Sequence, residues 1–185
     1  MRVITGSARG RRLKELEGME TRPTTDKVKE GMFSIIQFDI EGRRALDLFA
    51  GTGQLGIEAL SRGAAECVFV DRRADAVELI RENVKLCALE ENARIRKGDA
   101  LTYLRSGEKF DLVFLDPPYA TDLLDQVLEA ITGFDICRAH GIIIAESAAD
   151  HVLPAVQPPY RLYREYRYGK IKLTVYHRSG NEDEE

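Results

Sequence analysis

The sequence predicts an α/β protein with a doubly wound, mostly parallel sheet, an antiparallel C-terminal hairpin and a small N-terminal strand-and-helix extension. Three observations lead to this prediction. Short apolar runs alternate with helix-period segments from residue 45 onward, a glycine turn joins the first run to a helix, and two strand-like segments follow each other near the C terminus. Such alternation is the signature of parallel strands covered by helices on both faces.

Length and charge indicate one main domain with short additions at both ends. The 185 residues and the 44% hydrophobic fraction suit a single core. We expect a basic hairpin and an amphipathic helix over 1–40, the main domain over 41–178, and an acidic disordered tail over 179–185. The net charge is −4, and residues 182–185 alone carry four acids. The rest of the chain is balanced, so the acidity does not exclude a nucleic-acid partner.

The cysteines and histidines indicate neither disulfides nor a metal. Three of each are scattered without a ligand-like or paired spacing. We therefore expect no metal site, and a reducing compartment. The sequence has no signal peptide and no apolar run of membrane-spanning length. A soluble cytoplasmic protein without a membrane partner is expected.

The first 36 residues predict a basic arm followed by an amphipathic helix. Before the first acid, the arm carries a cluster of arginines, among them Arg9, Arg11 and Arg12. These either form a solvated terminus or contact phosphates. Thr24 or Thr25 is a good N-cap for the helix, whose apolar stripe runs over 28–36. Arg22 and Thr24 lie where free backbone N–H groups attract anions.

The central elements follow in regular order. Hydrophobic periodicity predicts strand 45–49, helix 54–62, strand 66–70, helix 74–89, strand 93–97, a helix of about two turns after residue 100, strand 110–115, helix 122–131 and strand 141–146. After three prolines, segments 160–169 and 170–177 read as an antiparallel pair.

This last pair is rich in basic and aromatic residues. They are Arg161, Arg164, Arg167, Lys170, Lys172 and Arg178, interleaved with Tyr160, Tyr163, Tyr166, Tyr168 and Tyr176. Tyrosine and arginine are good strand-surface residues, and the same two types stack on bases and neutralise phosphates. Both interpretations stay open at this point.

The glycine turn predicts a nucleotide-type ligand. Gly51, Gly53 and Gly56 have the spacing G-x-G-x-x-G. The first permits the tight turn, the second lets a ligand approach the backbone, and the third allows close packing of helix and strand. Asp47 is an acid within an apolar strand and is costly to bury without a partner. A ligand with a positive amino group would supply that partner, which favours S-adenosylmethionine (SAM) over NAD.

Acids follow several strands of the predicted sheet. Asp47, Asp71, Asp99 and Asp116 lie at or near strand ends in successive strand–helix units. A single such acid commonly caps a helix or starts a turn, but ligands of doubly wound sheets bind at this edge. Asp71 lies 24 residues beyond Asp47, which is about the separation expected of a ribose-binding acid.

The segment Asp116-Pro117-Pro118-Tyr119 is the most specific signal. The prolines fix an extended turn, which directs the Asp116 carboxylate and the Pro117 carbonyl. Two acceptors suit an exocyclic NH2 group, and Tyr119 offers a flat face for a base. Such a turn could hold an amine in line with a methyl donor and stabilise the charge that grows on nitrogen.

Several motifs together resemble class I SAM-dependent methyltransferases that act on amino groups, and more closely the RsmD-like family. They are Asp47-Leu-Phe-Ala-Gly-Thr-Gly53, Leu55-Gly-Ile-Glu-Ala-Leu-Ser-Arg-Gly63, Asp116-Pro-Pro-Tyr119, the opening residues 1–13, Arg22-Pro-Thr-Thr-Asp-Lys-Val-Lys-Glu30 and Tyr168-Gly-Lys-Ile-Lys-Leu-Thr-Val-Tyr176. The resemblance covers all but the acidic tail. It implies a Rossmann-like methyltransferase fold and transfer of a methyl group from SAM to N2 of a guanine in 16S ribosomal RNA, within the small subunit or its assembly intermediate.

The resemblance also implies roles for individual residues. The cofactor would contact Asp47, Phe49, Gly51, Gly53, Asp71, Asp99, Ala100 and Asp116, with Asp71 at the ribose and Asp99 with Ala100 at the adenine. Catalysis would involve Asp116, Pro117 and Tyr119. The RNA would contact Arg9, Arg11, Arg12, Arg22, Thr24, Pro118, Tyr119 and Lys170. Ile171 departs from the pattern, because a small polar residue is common after Gly-Lys.

Three alternatives accompany this interpretation. SAM and the Asp-Pro-Pro-Tyr turn would also suit adenine in DNA or a glutamine amide in a protein. The literal G-x-G-x-x-G would suit an NAD-dependent oxidoreductase. A non-catalytic RNA-binding module is the third alternative.

Overall fold

The computed structural model describes residues 1–17, 25–118 and 121–182. Within these residues, helices and strands alternate along the chain. They are α1 (Asp26–Ile35), β1 (Arg44–Asp47), α2 (Gln54–Ser61), β2 (Glu66–Asp71), α3 (Ala74–Leu86), a 3-10 turn (Glu90–Asn92), β3 (Ala93–Lys97), α4 (Ala100–Leu104), β4 (Phe110–Leu115), α5 (Leu123–Gly133), β5 (Cys137–Ala148), β6 (Tyr160–Tyr168) and β7 (Ile171–Arg178).

In the described residues the strands form one seven-stranded sheet in the order β3-β2-β1-β4-β5-β7-β6. Strands β1 to β5 pair in parallel, and β7 pairs antiparallel with both β5 and β6. The chain runs outward from β1 to β3 and then returns to place β4 on the other side of β1. This reversal leaves a crevice at the carboxyl ends of β1 and β4, where ligands of doubly wound sheets bind. The predicted α/β fold with its C-terminal hairpin is confirmed.

Two apolar layers cover the sheet. Apolar residues of α1, α2 and α3 pack on one face, and those of α4 and α5 pack on the other. The N-terminal arm, defined here as residues 1–14, contributes Val3, Ala8 and Leu13 to the first layer. Arg2 and Arg12 form an antiparallel bridge within this arm. The arm is therefore packed against the same core as the helices that flank the cofactor crevice.

Ser61 at the end of α2 holds the arm. Its hydroxyl accepts the N–H of Ala8 at 2.9 Å and donates to the Thr5 carbonyl at 2.7 Å. A Cβ added to Gly6 would lie 1.8 Å from the Ser61 carbonyl oxygen, so only glycine permits this close approach.

Element boundaries differ from the prediction at several points. Helix α1 starts after Thr25, whose hydroxyl accepts the Val28 N–H at 3.3 Å, while Thr24 lies outside the described residues. Helix α3 ends at Leu86 because Ala88 adopts a left-handed backbone with φ of 56°. Strand β5 is longer than predicted, since β7 pairs with it as far as Ala148.

The C-terminal region is described as far as residue 182. The N–H and hydroxyl of Ser179 both donate to the Pro159 carbonyl, at 2.8 and 3.0 Å. The first residue assigned to the acidic tail is thus fastened to the body, while residues 183–185 lie outside the described chain. Among the helices that are described, none has the length and apolarity required to cross a bilayer.

Candidate active site

The sheet brings the four predicted acids to one edge. Asp47 and Asp71 are the last residues of β1 and β2, and Asp116 directly follows β4. Asp99 comes two residues after β3. The parallel register aligns Asp47 with Phe114 of β4, so these strand ends are level with one another. Because the carboxyl ends of parallel strands share an edge, the acids line the crevice between β1 and β4.

Asp47 is buried beneath this crevice. Its side chain accepts the N–H of Gly56 at 3.0 Å, and the residue is 2% exposed. Burial raises the pKa of Asp47 to about 7; the Gly56 N–H opposes this shift, and the nearby charge of Asp71 adds to it. A carboxylate held in this way would be stabilised by a cationic ligand group.

Replacing Asp47 with Asn should stabilise the ligand-free protein at high pH. The folded-state pKa lies above the ordinary value of 3.8, so the penalty for holding the charged form grows as the pH rises to about 7. We expect the melting temperature of Asp47→Asn to exceed that of the wild type at pH 8, by the equivalent of a few kcal/mol at most, and the difference to shrink at pH 5. Thermal unfolding without cofactor measures this, and a difference independent of pH would contradict it.

The first two glycines of the turn have different surroundings. Gly51 has φ of 57° and donates its N–H to the Asp71 carboxylate at 2.9 Å, and an added Cβ would meet no atom within 4 Å. Gly53 has φ of 83° and is the N-cap of α2, where an added Cβ would lie 3.3 Å from Ile57 and Ile80. Open space therefore adjoins Gly51. The expectation that the second glycine clears the way for a ligand is wrong, because its missing side chain would point at the core.

The third glycine and Phe49 lie on the sides of the turn. An added Cβ at Gly56 would approach the Phe69 ring to 2.3 Å, so glycine allows helix α2 to pack on β2 as expected. Phe49 is half-buried and packs against the layer formed by α4 and α5.

Asp71 and Asp99 use their carboxylates in local backbone contacts. Asp71 accepts the N–H of Gly51 through one oxygen and that of Arg73 through the other, each at 2.9 Å. Asp99 is exposed and caps α4 by accepting the Thr102 N–H at 2.9 Å, and Ala100 begins that helix. A carboxylate has about four acceptor positions, so these contacts leave capacity for ligand hydroxyls or amines.

The proline turn follows β4 at the centre of the edge. Asp116 is half-buried, Pro117 is buried and Pro118 is exposed. The Pro118 carbonyl accepts the hydroxyl of Thr121 at 3.3 Å, just before α5 begins. Tyr119 lies outside the described residues, so its predicted roles at the target base stay predictions.

The predicted RNA-contacting residues are exposed where the structure describes them. Arg9, Arg11 and Arg12 lie on the surface of the arm. Lys170 is exposed in the turn between β6 and β7, at the same edge as the acids, because the adjoining Ile171 pairs with Ala148 at the end of β5. Arg22 and Thr24 lie outside the described residues.

Part of the basic and aromatic set in the hairpin is buried, so the RNA interpretation is wrong for those members. Lys172 is 3% exposed and binds Glu165 at 3.0 Å and the His151 carbonyl at 2.7 Å. Arg178 binds Asp135 at 2.8 Å. Two further buried members of this set are core residues, namely Tyr160 and Tyr176.

Two buried polar residues near the site were not singled out from the sequence. Asn83 is fully buried; its amide nitrogen donates to the carbonyls of Lys14 and Thr52 at 3.1 and 2.9 Å, and its oxygen accepts the Lys14 N–H at 2.8 Å. It thereby joins the arm to the glycine turn. Glu146, 2% exposed, lies at the carboxyl end of β5. A polar residue within an apolar stripe or after an apolar run is the signal that identifies each of them.

Comparisons with known proteins agree with this geometry. Residues 1–177 match the protein family described as Conserved hypothetical protein 95. The Bacillus subtilis protein YlbH, provisionally named an rRNA methyltransferase, is 41% identical over 184 residues, covering 97% of this chain and 100% of its own. Ribosomal RNA small subunit methyltransferase D of Escherichia coli K12 is 34% identical over 180 residues, covering 96% of this chain and 90% of its own.

A solved structure extends the similarity to the fold. The Escherichia coli protein yhhF, provisionally named a methyltransferase, superposes with a TM-score of 0.87 at 32% identity, covering 98% of this chain and 99% of that one. A family match over almost the whole chain, together with relatives above 30% identity at nearly full length, confirms the resemblance seen in the motifs: the protein belongs to the RsmD-like family of methyltransferases.

Proposed function

We propose that the protein transfers a methyl group from SAM to the exocyclic N2 amine of a guanine in 16S ribosomal RNA. It is an enzyme of the SAM-dependent rRNA methyltransferase type, as its family membership indicates. The observation that carries the finer assignment is the Asp116-Pro117-Pro118 turn, which follows β4 directly beside the glycine turn after β1. An amine acceptor and a methyl donor would meet at that junction.

The residues at the crevice fit SAM. Gly51 borders open space where a side chain would stand, which allows a ligand to approach the backbone. Asp47 provides a buried carboxylate for the amino group of the methionine part, and Asp71 provides acceptors for ribose hydroxyls. Asp99 and Ala100 would adjoin the adenine and Phe49 the methionine part. When bound, SAM supplies an activated methyl group on a sulfonium.

An Asp71→Ala substitution should weaken SAM binding by about 10- to 100-fold. Its charged acceptor is worth roughly 1.5–3 kcal/mol to the ligand hydroxyls, and the contact with the Gly51 N–H is lost as well. Calorimetric titration with SAM measures the change. Asp75→Ala is the matched control, because Asp75 is exposed and pairs with Arg73 outside the crevice. Equal affinity of Asp71→Ala and the wild type would remove Asp71 from the site.

The chain's own groups would act on the target amine in two ways. Asp116 and the Pro117 carbonyl accept hydrogen bonds from the two N–H groups of guanine N2, which aims the nitrogen lone pair at the methyl group. As the N–C bond forms, positive charge grows on nitrogen, and both hydrogen bonds strengthen. One proton then leaves nitrogen, with Asp116 or water as acceptor. Tyr119 and Pro118 would provide the faces against which the base packs.

RNA would be held mainly through phosphates. The three arm arginines and Lys170 are exposed, and we extend the same role to Arg22 and Thr24 from the sequence. The substrate would be rRNA within the small ribosomal subunit or an assembly intermediate, in the cytoplasm, without a metal or a membrane partner.

The deciding experiment is methyl transfer from labelled SAM to small subunits, or to protein-free 16S RNA, from cells that lack this gene. Nuclease digestion and mass spectrometry should place the label in N2-methylguanosine at one position. Label in adenosine, or in a protein glutamine, would overturn the guanine assignment. Binding of NADH in place of SAM would overturn the reaction class.

A further inference from the structure

The edge strand β6 contains an irregularity that sorts its side chains. Arg161 pairs with His177 of β7, but the register shifts between Leu162 and Arg164, so that Arg164 pairs with Val175. Side chains alternate along a strand, and residues three apart ordinarily face opposite ways. The extra residue, Tyr163, reverses this rule locally. Arg161 and Arg164 therefore project from the same face of the sheet, the face that α1 covers further along β7.

Aromatic rings lie between these two arginines. The Tyr163 ring stacks on the His177 ring with centroids 4.2 Å apart and planes inclined by 11°. The Arg164 guanidinium lies 6.0 Å from the Tyr163 centroid and 5.9 Å from that of Tyr166. Arg161 and Arg164 are exposed and Tyr163 is 48% exposed, so this group contributes little to the core. We call Arg161, Tyr163 and Arg164 the β6 surface.

The charges around the β6 surface leave it positive. Glu165, the adjacent acid in the strand, projects from the opposite face, where Lys172 binds it at 3.0 Å. Asp39, which follows α1, acts on His177 from the same side as Arg161. Burial lowers the pKa of His177, and Arg161 adds to that shift against the opposing effect of Asp39. The ring is therefore neutral near pH 7 and stacks as an uncharged aromatic. Two arginines thus face one carboxylate.

The β6 surface lies away from the reacting centre. Ile171 of β7 pairs with Ala148 at the catalytic edge, and His177 is six residues further along the same strand. At about 3.4 Å per residue, the Tyr163–His177 stack is about 20 Å from that edge. A ligand bound there contacts the enzyme beyond the target nucleotide and does not touch the reacting atoms.

We propose that the β6 surface binds an unpaired segment of the RNA substrate, with its phosphates on Arg161 and Arg164 and a base stacked at Tyr163. Exposed arginines beside a partly exposed aromatic ring are the combination that single-stranded nucleic acid requires, since arginines neutralise phosphates and aromatic rings stack on bases. This inference rests on the proposed RNA methyltransferase function, and it assigns the β6 surface to affinity rather than to chemistry.

The test compares an Arg161→Ala/Arg164→Ala variant with an Arg94→Ala/Arg105→Ala control of equal charge change. Arg94 on edge strand β3 and Arg105 after α4 are exposed and distant from β6. The Arg161/Arg164 variant should bind protein-free 16S RNA about tenfold more weakly, and its log–log salt slope should fall by about one unit. With small subunits as substrate, KM should rise while kcat stays within about twofold of the wild-type value. Tyr163→Ala should weaken RNA binding at least about fivefold, and Tyr163→Phe should restore it.

The β6 proposal is overturned if the Arg161/Arg164 variant matches the control in salt slope and affinity. It is also overturned if binding to intact subunits weakens while binding to protein-free RNA does not, because the contact would then be to a ribosomal protein. If the wild type transfers no methyl group to RNA, the proposed function fails, but the RNA-binding measurements still decide the role of the β6 surface. Unchanged SAM affinity and melting temperature verify that the variants are folded.

Discussion

An Asp116→Ala variant should lose about 10²–10³ in the rate of single-turnover methyl transfer at saturating SAM and RNA. The substitution removes a preorganised carboxylate acceptor from the end of β4, where the proposed mechanism places the growing positive charge. The Pro117 carbonyl is retained, so some activity should remain. RNA affinity should fall far less than the rate, because phosphate contacts elsewhere on the surface dominate it.

Two further variants make the Asp116 result specific. Asp116→Asn keeps an acceptor oxygen but loses the charge, so its rate should lie between those of the wild type and Asp116→Ala. Asp122→Ala removes an exposed acid at the start of α5 that binds Gln126, and its rate should match the wild type. If Asp116→Ala retains more than about a tenth of the wild-type rate, against the loss expected for such a group, the assignment of the turn is wrong.

The second large effect concerns stability, and it centres on Glu58 in α2. Glu58 and Lys29 are both fully buried, with Lys29 Nζ 3.5 Å from the carboxylate and 2.7 Å from the Arg2 carbonyl. Glu58 also accepts the backbone N–H groups of Ile4 and Thr5 at 2.9 and 3.1 Å. Burial lowers the pKa of Lys29, against the opposing pull of Glu58. This cluster fastens both α1 and the N-terminal arm to α2.

A Glu58→Ala substitution should therefore lower the free energy of unfolding by about 3–5 kcal/mol, because it leaves a buried ammonium without its carboxylate. Urea-induced unfolding measures this loss. Glu78→Ala is the matched control: it removes the acid of an exposed Glu78–Arg81 pair on α3, and should cost less than about 1 kcal/mol. Equal losses in the two variants would mean that the buried pair is no more important than a surface pair.

Glu58→Gln distinguishes the charge from the hydrogen bonds. Its amide oxygen can still accept the N–H groups of Ile4 and Thr5, so the arm should stay in place while the pairing with Lys29 is lost. We expect a stability between those of the wild type and Glu58→Ala. A Gln variant as stable as the wild type would show that the hydrogen bonds, rather than the ion pair, carry the effect.

Much of the fold could be predicted because its signals are local. Apolar runs ending in an acid marked β1, β2 and β4, and helix-period stripes marked α1 and α3. Parallel strands align their carboxyl ends, so the order of elements alone implied that Asp47, Asp71, Asp99 and Asp116 would share an edge. The motifs around Asp47 and Asp116 then identified the family, which the comparisons confirm. Whether those acids bind SAM and guanine stays a prediction.

The sequence by itself determined the class of fold, the order of its elements, the edge that carries the site and the family, because each depends on residues close together in the chain. Only the tertiary structure decided which residues of a given type face solvent. Lys172 is buried against Glu165 while Lys170 is exposed, although both lie in one short segment. The bulge at Tyr163 reverses the side chains of half a strand, and the partners of Glu58 lie more than 50 residues away in sequence. Such outcomes depend on pairing register and on contacts between distant segments, which local periodicity does not encode.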